Sequence, residues 1–412
     1  MPVSKSGDSP TNLKPRSRGI SLSLLAVLSG ILIVGGFYGV ARWNVQKQWS
    51  IVEEIKAAGG TFEPALSDGK AVRGSQGAAP AWKKSLGIAP PQELTKVSIY
   101  NAQGSVVPIA KLSQLPQLEE VSLQPEGATD ADLAMLAKLP RLRVVNIYSN
   151  QITDEGIAHL AKNANLQKVE LRGTGIRDQG LASVAQLANL HTLEWDNRYA
   201  AQADFSALKN KQSLVALTLR GNSQWDAGLA VASTCENLES LCLGYGQITA
   251  EGMRSLAGMK KLKRLELYEV AFPREELSAI AGLTQLEELR IDGELAEEDL
   301  AVLGSLTSMQ TLRLQKAKIT GAGLKHLASM KQLKNLDAPL NLLGDEDMKL
   351  FDGLQNLERL DLRNSQVTDA GLLNLPKFLN MMHIELQGTQ VTEEGVAKLR
   401  KVSPHLRMIS LK

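Results

Sequence analysis

From Leu94 onward the apolar positions fall into one repeated pattern. The motif Leu-x-x-Leu-x-Leu opens at residues 94, 118, 142, 166, 190, 214, 238, 262, 286, 309, 333, 357, 381 and 406. Eleven of the thirteen intervals are 24 residues, one is 23 and one is 25. Within the motif the last two apolar residues alternate with polar ones, which predicts a strand with one buried and one solvated face. The second half of each unit, as in Gln151-Ile152-Thr153-Asp154-Glu155-Gly156-Ile157-Ala158-His159-Leu160, predicts a short helix. There Thr153 is expected to cap the helix, Asp154 to sit at its positive end, and Ile152, Ile157 and Leu160 to point inward. Gly156, Gly180, Gly252, Gly323, Gly371 and Gly395 are expected to leave room for close approach of helix to strand. No unit can bury its apolar face alone, so the units must stack. A stack of this kind is a solenoid, with a parallel sheet on the concave side and short helices on the convex side.

A few units depart from the pattern. The stretch from Ile291 to Leu300 is one residue short, and Ala203-Asp204-Phe205-Ser206 lacks the Gly-Leu pair. Pro273 interrupts another convex segment, and Ala338-Pro339 replaces the last strand leucine and removes a backbone donor. Drift in a tolerant array accounts for all four, and none is assigned a role.

Upstream of the repeats the pattern changes twice. Ile20–Ala41 is an uncharged run of 22 residues, long enough as a helix to cross a hydrocarbon core of about 30 Å. Tyr38 and Trp43 stand at its C-terminal end, where such rings favour the headgroup region. Gly39-Val40-Ala41 would also satisfy a cleavage rule, but the run exceeds the usual signal-peptide length, so a retained transmembrane helix is expected. Next, Val45, Trp49, Val52 and Ile55 recur at helical spacing until Gly59-Gly60. Thr61-Phe62-Glu63 is an extended run stopped by Pro64, residues 66–79 have loop composition, and Pro80 to Lys84 reads as a helix start. Trp49 and Trp82 are expected to seal the open end of the repeat core. The expected organisation is a basic tail over 1–19, the membrane helix over 20–41, a cap and linker over 42–93, and the solenoid of about 14 strands over 94–412.

The formal net charge is only +2, and Lys5, Lys14, Arg16 and Arg18 against Asp8 place +3 in the tail. The tail gives a modest bias towards a cytoplasmic N-terminus, with the repeats on the periplasmic or extracytoplasmic side of a cell membrane. The near-neutral body lacks the clustered positive charge that nucleic-acid binding needs. Two cysteines, Cys235 and Cys242, cannot form a disulfide framework and read as free thiols.

The run Gln366-Val367-Thr368-Asp369-Ala370-Gly371-Leu372 and its relatives resemble the Thr-Asp-x-Gly-Leu class of leucine-rich repeats. That class occurs in bacterial membrane-anchored or secreted proteins, and the upstream layout is similar to theirs. The resemblance implies an α/β solenoid, or horseshoe, acting as a binding scaffold. The repeats also resemble those of F-box substrate receptors, but the repeat cysteines are absent except Cys235, and no F-box-like domain precedes them.

Catalytic constellations are thin. The five histidines fall in five different repeats, and no HExxH, P-loop or paired Cys-x-x-Cys is present. Asp361, His383 and Ser410 come from three successive strands, yet diagonal neighbours there sit about 7–8 Å apart, too far for a triad. The chain therefore reads as non-catalytic, with no cofactor and no metal.

Function is expected on the concave ladder. Tyr148, Lys168, Glu170, Arg172, Glu194, Asp196 and Arg220 should form one mixed-charge patch, followed by Arg264, Tyr268 and Arg290. Mixed sign with Tyr and Arg suits a protein or peptide ligand. The alternatives are a structural envelope protein held by self-association, with the last strand offering an edge for a homodimer, and a non-catalytic recruitment subunit of an enzyme complex.

Overall fold

The computed structural model describes residues 40, 42–57, 59–64, 66–67, 70–71, 94–99, 109–124, 128–173, 175–197, 203–378, 380–404 and 406–411. Apart from Val40, the expected membrane segment Ile20–Ala41 lies outside them, as do Trp82 and the helix start at Pro80. Among the described residues, no helix is long and apolar enough to cross a membrane.

Residues 42–57 are helical and bury Ile51, Val52 and Ile55 in the core shared with the repeats, with Val45 buried as well. Trp49 does not seal that core: it is 40 % exposed, because the buried stripe runs through Ile51 instead. The chain then turns into β1 (Gly60–Pro64), which pairs antiparallel with β2 (Leu94–Ile99). The extended run at Thr61 is thus the first strand of the main sheet, and it closes one edge that would otherwise stay unpaired.

Every later strand runs parallel to the one before. They are β3 (Glu120–Leu123), β4 (Val144–Tyr148), β5 (Lys168–Arg172), β6 (Thr192–Asp196) and β7 (Ala216–Gln224), then β8 (Ser240–Gln247), β9 (Arg264–Ala271) and β10 (Glu288–Asp292). β11 (Thr311–Gln315), β12 (Asn335–Asp337), β13 (Arg359–Asp361), β14 (His383–Glu385) and β15 (Met408–Ser410) complete the sheet. Register follows the sequence period: Leu241 pairs with Leu217 on one side and Leu265 on the other. The apolar member of each pair faces a continuous core, in which Met309 and Met381 take leucine positions.

On the convex side the expected short helices form, for example Asp154–Leu160, Asp226–Ala232 and Asp369–Asn374. Departures from the pattern have visible consequences. The repeat lacking Gly-Leu has only a 3₁₀ turn at Ser206–Leu208, and Pro273 is followed by a 3₁₀ segment at Arg274–Ile280. Beside the first of these, Trp195, Phe205 and Trp225 fill the space a helix would occupy, with Trp195 and Phe205 rings edge to face at 5.5 Å. Ala338-Pro339 ends β12 after three residues.

Threonine caps its helix as expected: the Thr153 hydroxyl accepts from the Glu155 amide. The aspartate beside it does something the pattern does not announce. Asp130 reaches forward into the next repeat, where its carboxylate accepts from the Thr153 amide (2.9 Å) and hydroxyl (2.6 Å). Asp154 accepts from the Arg177 amide at 2.7 Å and Asp178 from that of Asp204 at 2.9 Å. Asp226 holds Thr249, Asp345 holds Thr368 and Asp369 holds Thr392 through both amide and hydroxyl. Each is a charge-assisted clasp between consecutive helix N-termini.

The repeat glycines serve this clasp rather than a helix–strand approach. A Cβ at Gly156, Gly252, Gly371 or Gly395 would strike Oδ1 of Asp130, Asp226, Asp345 or Asp369 respectively. Gly180 makes room for both Asp154 and Ile176, whereas Gly323 makes room for Leu300.

Candidate binding face

The alternation of each strand sends every second side chain onto the concave face, and the 24-residue register lines those side chains into rows. One row runs Tyr148, Arg172, Asp196, Arg220 through β4 to β7; the row beside it runs Asn146, Glu170, Glu194, Thr218. The structure thus brings together all seven residues of the expected first patch.

Within it the charges form a chain. Lys168 Nζ lies 2.7 Å from Glu170, and Arg172 bridges Glu170 (3.5 Å) and Glu194 (3.0 Å). Arg220 donates to Glu194 at 2.6 Å and leans on Cys242 Sγ at 3.8 Å, which in turn lies 3.9 Å from Glu266. Glu194 is 9 % exposed, so it is a buried carboxylate that accepts from Arg220 and pairs by charge with Arg172, and not the solvated charge its position suggests. A lysine there would set three cations together in a half-dry site, so a charge swap at this position breaks the scaffold as well as the surface.

Tyr148 stands apart from this network, 57 % exposed. Its ring lies over Gly173, whose φ of +61° and lack of a side chain let the strand turn away beneath it. Beside Tyr148 an open hollow of about 140 Å³ is lined by polar groups including Lys96, Glu120, Asn146, Glu170 and Arg172. Lys96 and Glu120 pair across its floor at 3.1 Å.

The second group, Arg264, Tyr268 and Arg290, sits beyond a strip of small residues on β7 and β8. Arg264 pairs with Glu288 at 2.7 Å, and Arg290 makes two 3.0 Å bonds to Asp292 while lying 4.4 Å over the Tyr268 ring. Tyr245 packs edge to face on Tyr268 at 5.1 Å. The bond between these two phenols and the charge of Tyr245, with Glu269 beside them, push the Tyr268 hydroxyl up to about 12. Between the groups, burial pushes the Cys242 thiol up to about 11 despite the pull of Arg220, so it stays protonated and unreactive. Cys235 is likewise free and buried.

Further along, the residues considered for a triad are arranged otherwise. Asp361 is level with Glu385 and Ser410, while His383 is level with Arg359 and Met408. His383 Nε2 lies 2.8 Å from Glu385, and Arg363 holds Asp361 through several bonds. Burial raises the Asp361 carboxyl, but Arg363 more than offsets this and holds it low; burial and the bond to Asp361 raise its neighbour Asp337. His159 and His326 lie on convex helices beside Glu155 and Glu297. Among the described residues no group of three or more His, Cys, Asp or Glu could hold a metal ion.

Pattern reading placed the concave rows but missed two things: how deeply Glu194 is shared, and the role of Cys242 as its continuation. Both depend on side-chain reach between repeats, which spacing alone does not specify.

Known proteins fit this geometry. The family model for the leucine-rich repeat matches residues 139–161, 162–185, 234–257 and 353–375. No curated protein sequence matches the chain. Among solved structures, an internalin from Listeria monocytogenes is similar at 21 % identity over 80 % of this chain and 92 % of its own, with a TM-score of 0.54. A leucine-rich repeat protein of Leptospira interrogans is 19 % identical over 72 % of this chain and 91 % of its own, with a TM-score of 0.42. The first likeness shows a shared fold. Repeat sequence and solenoid geometry agree: four stretches match the leucine-rich repeat model, and the described residues fold as a solenoid of that kind.

Proposed function

We propose that this chain is a membrane-anchored scaffold that binds a protein or peptide on its concave face. Tyr148 carries the binding reading. It is a large exposed ring beside an open polar hollow, on a strand face whose other charges are already held in place. Aromatic anchors on rigid surfaces recur at interface hot spots, because they bury area with little loss of side-chain freedom. Leucine-rich repeats are generally protein-binding scaffolds, which supports the same reading. The anchor is Ile20–Ala41, supported by its length and lack of charge, and the basic tail favours a cytoplasmic N-terminus with the repeats on the extracytoplasmic side.

The test is affinity capture from membrane extracts with the full chain in detergent, comparing wild type with Tyr148→Ala. Both variants should give the same circular dichroism. Capture of one defined partner should fall at least tenfold in the variant. Equal capture would move the site to Arg264, Tyr268 and Arg290. Fractionation with protease shaving of intact cells tests the anchor and its orientation.

A second reading, self-association, has its own observation. Among the described residues nothing pairs with the outer edge of β15, where Met408 is 55 % exposed, with Val402 nearby in sequence at 51 %. A free strand edge favours pairing with another chain. Concentration-dependent sedimentation that disappears in Ile409→Pro, which removes a backbone donor facing away from β14, would favour a homodimer through this edge.

A further inference from the structure

The first turns of the helix over 42–57 present an unusual surface. Val40 is 59 % and Trp43 61 % exposed, and Trp43 points away from the buried stripe of Val45, Ile51, Val52 and Ile55. Lys47 lies 5.3 Å from the Trp43 ring centroid. From Val40 to Val52 the charged residues are Arg42 and Lys47; acids begin only at Glu53. The helix is therefore aromatic and basic at one end and mixed in charge at the other, where Glu54 pairs with Lys111 of the first repeat at 2.6 Å. It is also fastened to the repeats through Ile51, Val52 and Ile55.

We infer that this end of the helix is a lipid-facing surface, with Trp43 in the headgroup layer of an anionic membrane, so that the solenoid stands directly on the bilayer. The inference rests on the anchor reading of Ile20–Ala41. Trp43 follows that uncharged segment by two residues, about 3 Å along a helix axis, within a headgroup layer roughly 6 Å deep. Trp49, about 12 Å along, falls beyond that layer. Indole rings collect at this depth, and Arg42 and Lys47 meet anionic lipid there. Because the same helix packs into the first repeat, seating Trp43 fixes where the repeats begin relative to the membrane. The concave face then projects from the surface without a slack tether.

The experiment uses the full chain reconstituted in phosphatidylcholine–phosphatidylglycerol vesicles, with bromine carried either near the headgroup end of the acyl chain or at its far end. Shallow bromine should quench tryptophan emission more than deep bromine. Trp43→Phe should remove more than half of the shallow quenching, and Trp49→Phe should leave most of it. Equal quenching in wild type and Trp43→Phe, in vesicle-bound protein, would overturn this placement while leaving the anchor intact. A chain that fails to float with the vesicles would overturn the anchor reading, and this inference with it.

Discussion

Two stretches of the convex side are built from the same repeat yet joined differently. Between Asp130 and Asp204 three consecutive junctions are clasped by an aspartate reaching into the next repeat. From Ala250 to Gly344 the residue in the aspartate's place is Ala250, Arg274, Glu297 or Gly321. In this middle stretch the capping amides turn inward: Ala296 and Gly344 donate to Asp299 and Asp347 of their own helices. At the first of these junctions the sheet compensates, with β8 and β9 pairing over seven positions, but β11 and β12 pair over only three. Cohesion in a solenoid is a sum of nearest-neighbour terms, so the middle repeats should be where the array opens most readily.

The comparison can be broken by filling the space the clasp needs. Gly156→Val should destabilise by about 3 kcal/mol, combining overpacking with loss of the Asp130 bonds. Gly344→Ala, where a new Cβ meets nothing within 4 Å, should change stability by less than about 0.5 kcal/mol. Chemical denaturation of both variants checks this, and equal losses would end the distinction.

Removing a clasp directly is the next largest effect. Asp226→Ala strands the Thr249 amide and hydroxyl and should cost about 2 kcal/mol. Glu297→Ala, which loses only an exposed 3.8 Å contact with His326, should cost no more than about 0.5 kcal/mol. In wild type, hydrogen exchange should show β5 and β6 protected at least tenfold more than β10 and β11.

Acid should narrow that gap. Burial raises the Asp226 carboxyl, but bonds from Thr249, Gln224 and Gly252 outweigh it and hold it below the ordinary value; Thr392 does the same for Asp369. A depressed carboxyl stabilises the fold above its unfolded value and loses that contribution as pH falls through the folded one. Protection of the clasped junctions at Asp226 and Asp369 should therefore decline below about pH 4, with the middle repeats changing less. The smallest effect lies on the concave side. Burial and the bond to Asp361 raise Asp337, so its charge at neutral pH opposes folding, and Asp337→Asn should give a small gain in stability at pH 7, read by chemical denaturation. The gain should shrink as the pH falls and the native carboxyl takes up its own proton.

Much of this architecture is legible in the letters. The period places each strand, the alternation assigns the concave rows, and Pro273 and the missing Gly-Leu pair coincide with two of the four 3₁₀ segments among the described residues. The clasp is not legible from one repeat, because Asp154 reads as a complete helix-end charge until the next repeat is stacked on it. A signal existed: Asp130 and Thr153, Asp226 and Thr249, Asp345 and Thr368, and Asp369 and Thr392 share one separation, 23 residues. Burial of Glu194 was hidden for a similar reason, since its two arginines come from the strands on either side.

The reversed first strand bears on how the molecule is made. Chains emerge from the ribosome N-terminus first, and domains begin to fold in that order. The helix over 42–57 and β1 are complete before any repeat exists, and β1 closes one edge of β2. An array nucleated at this closed end would add each later strand to a neighbour already paired. Its assembly would follow the direction of synthesis and leave a single unfinished edge.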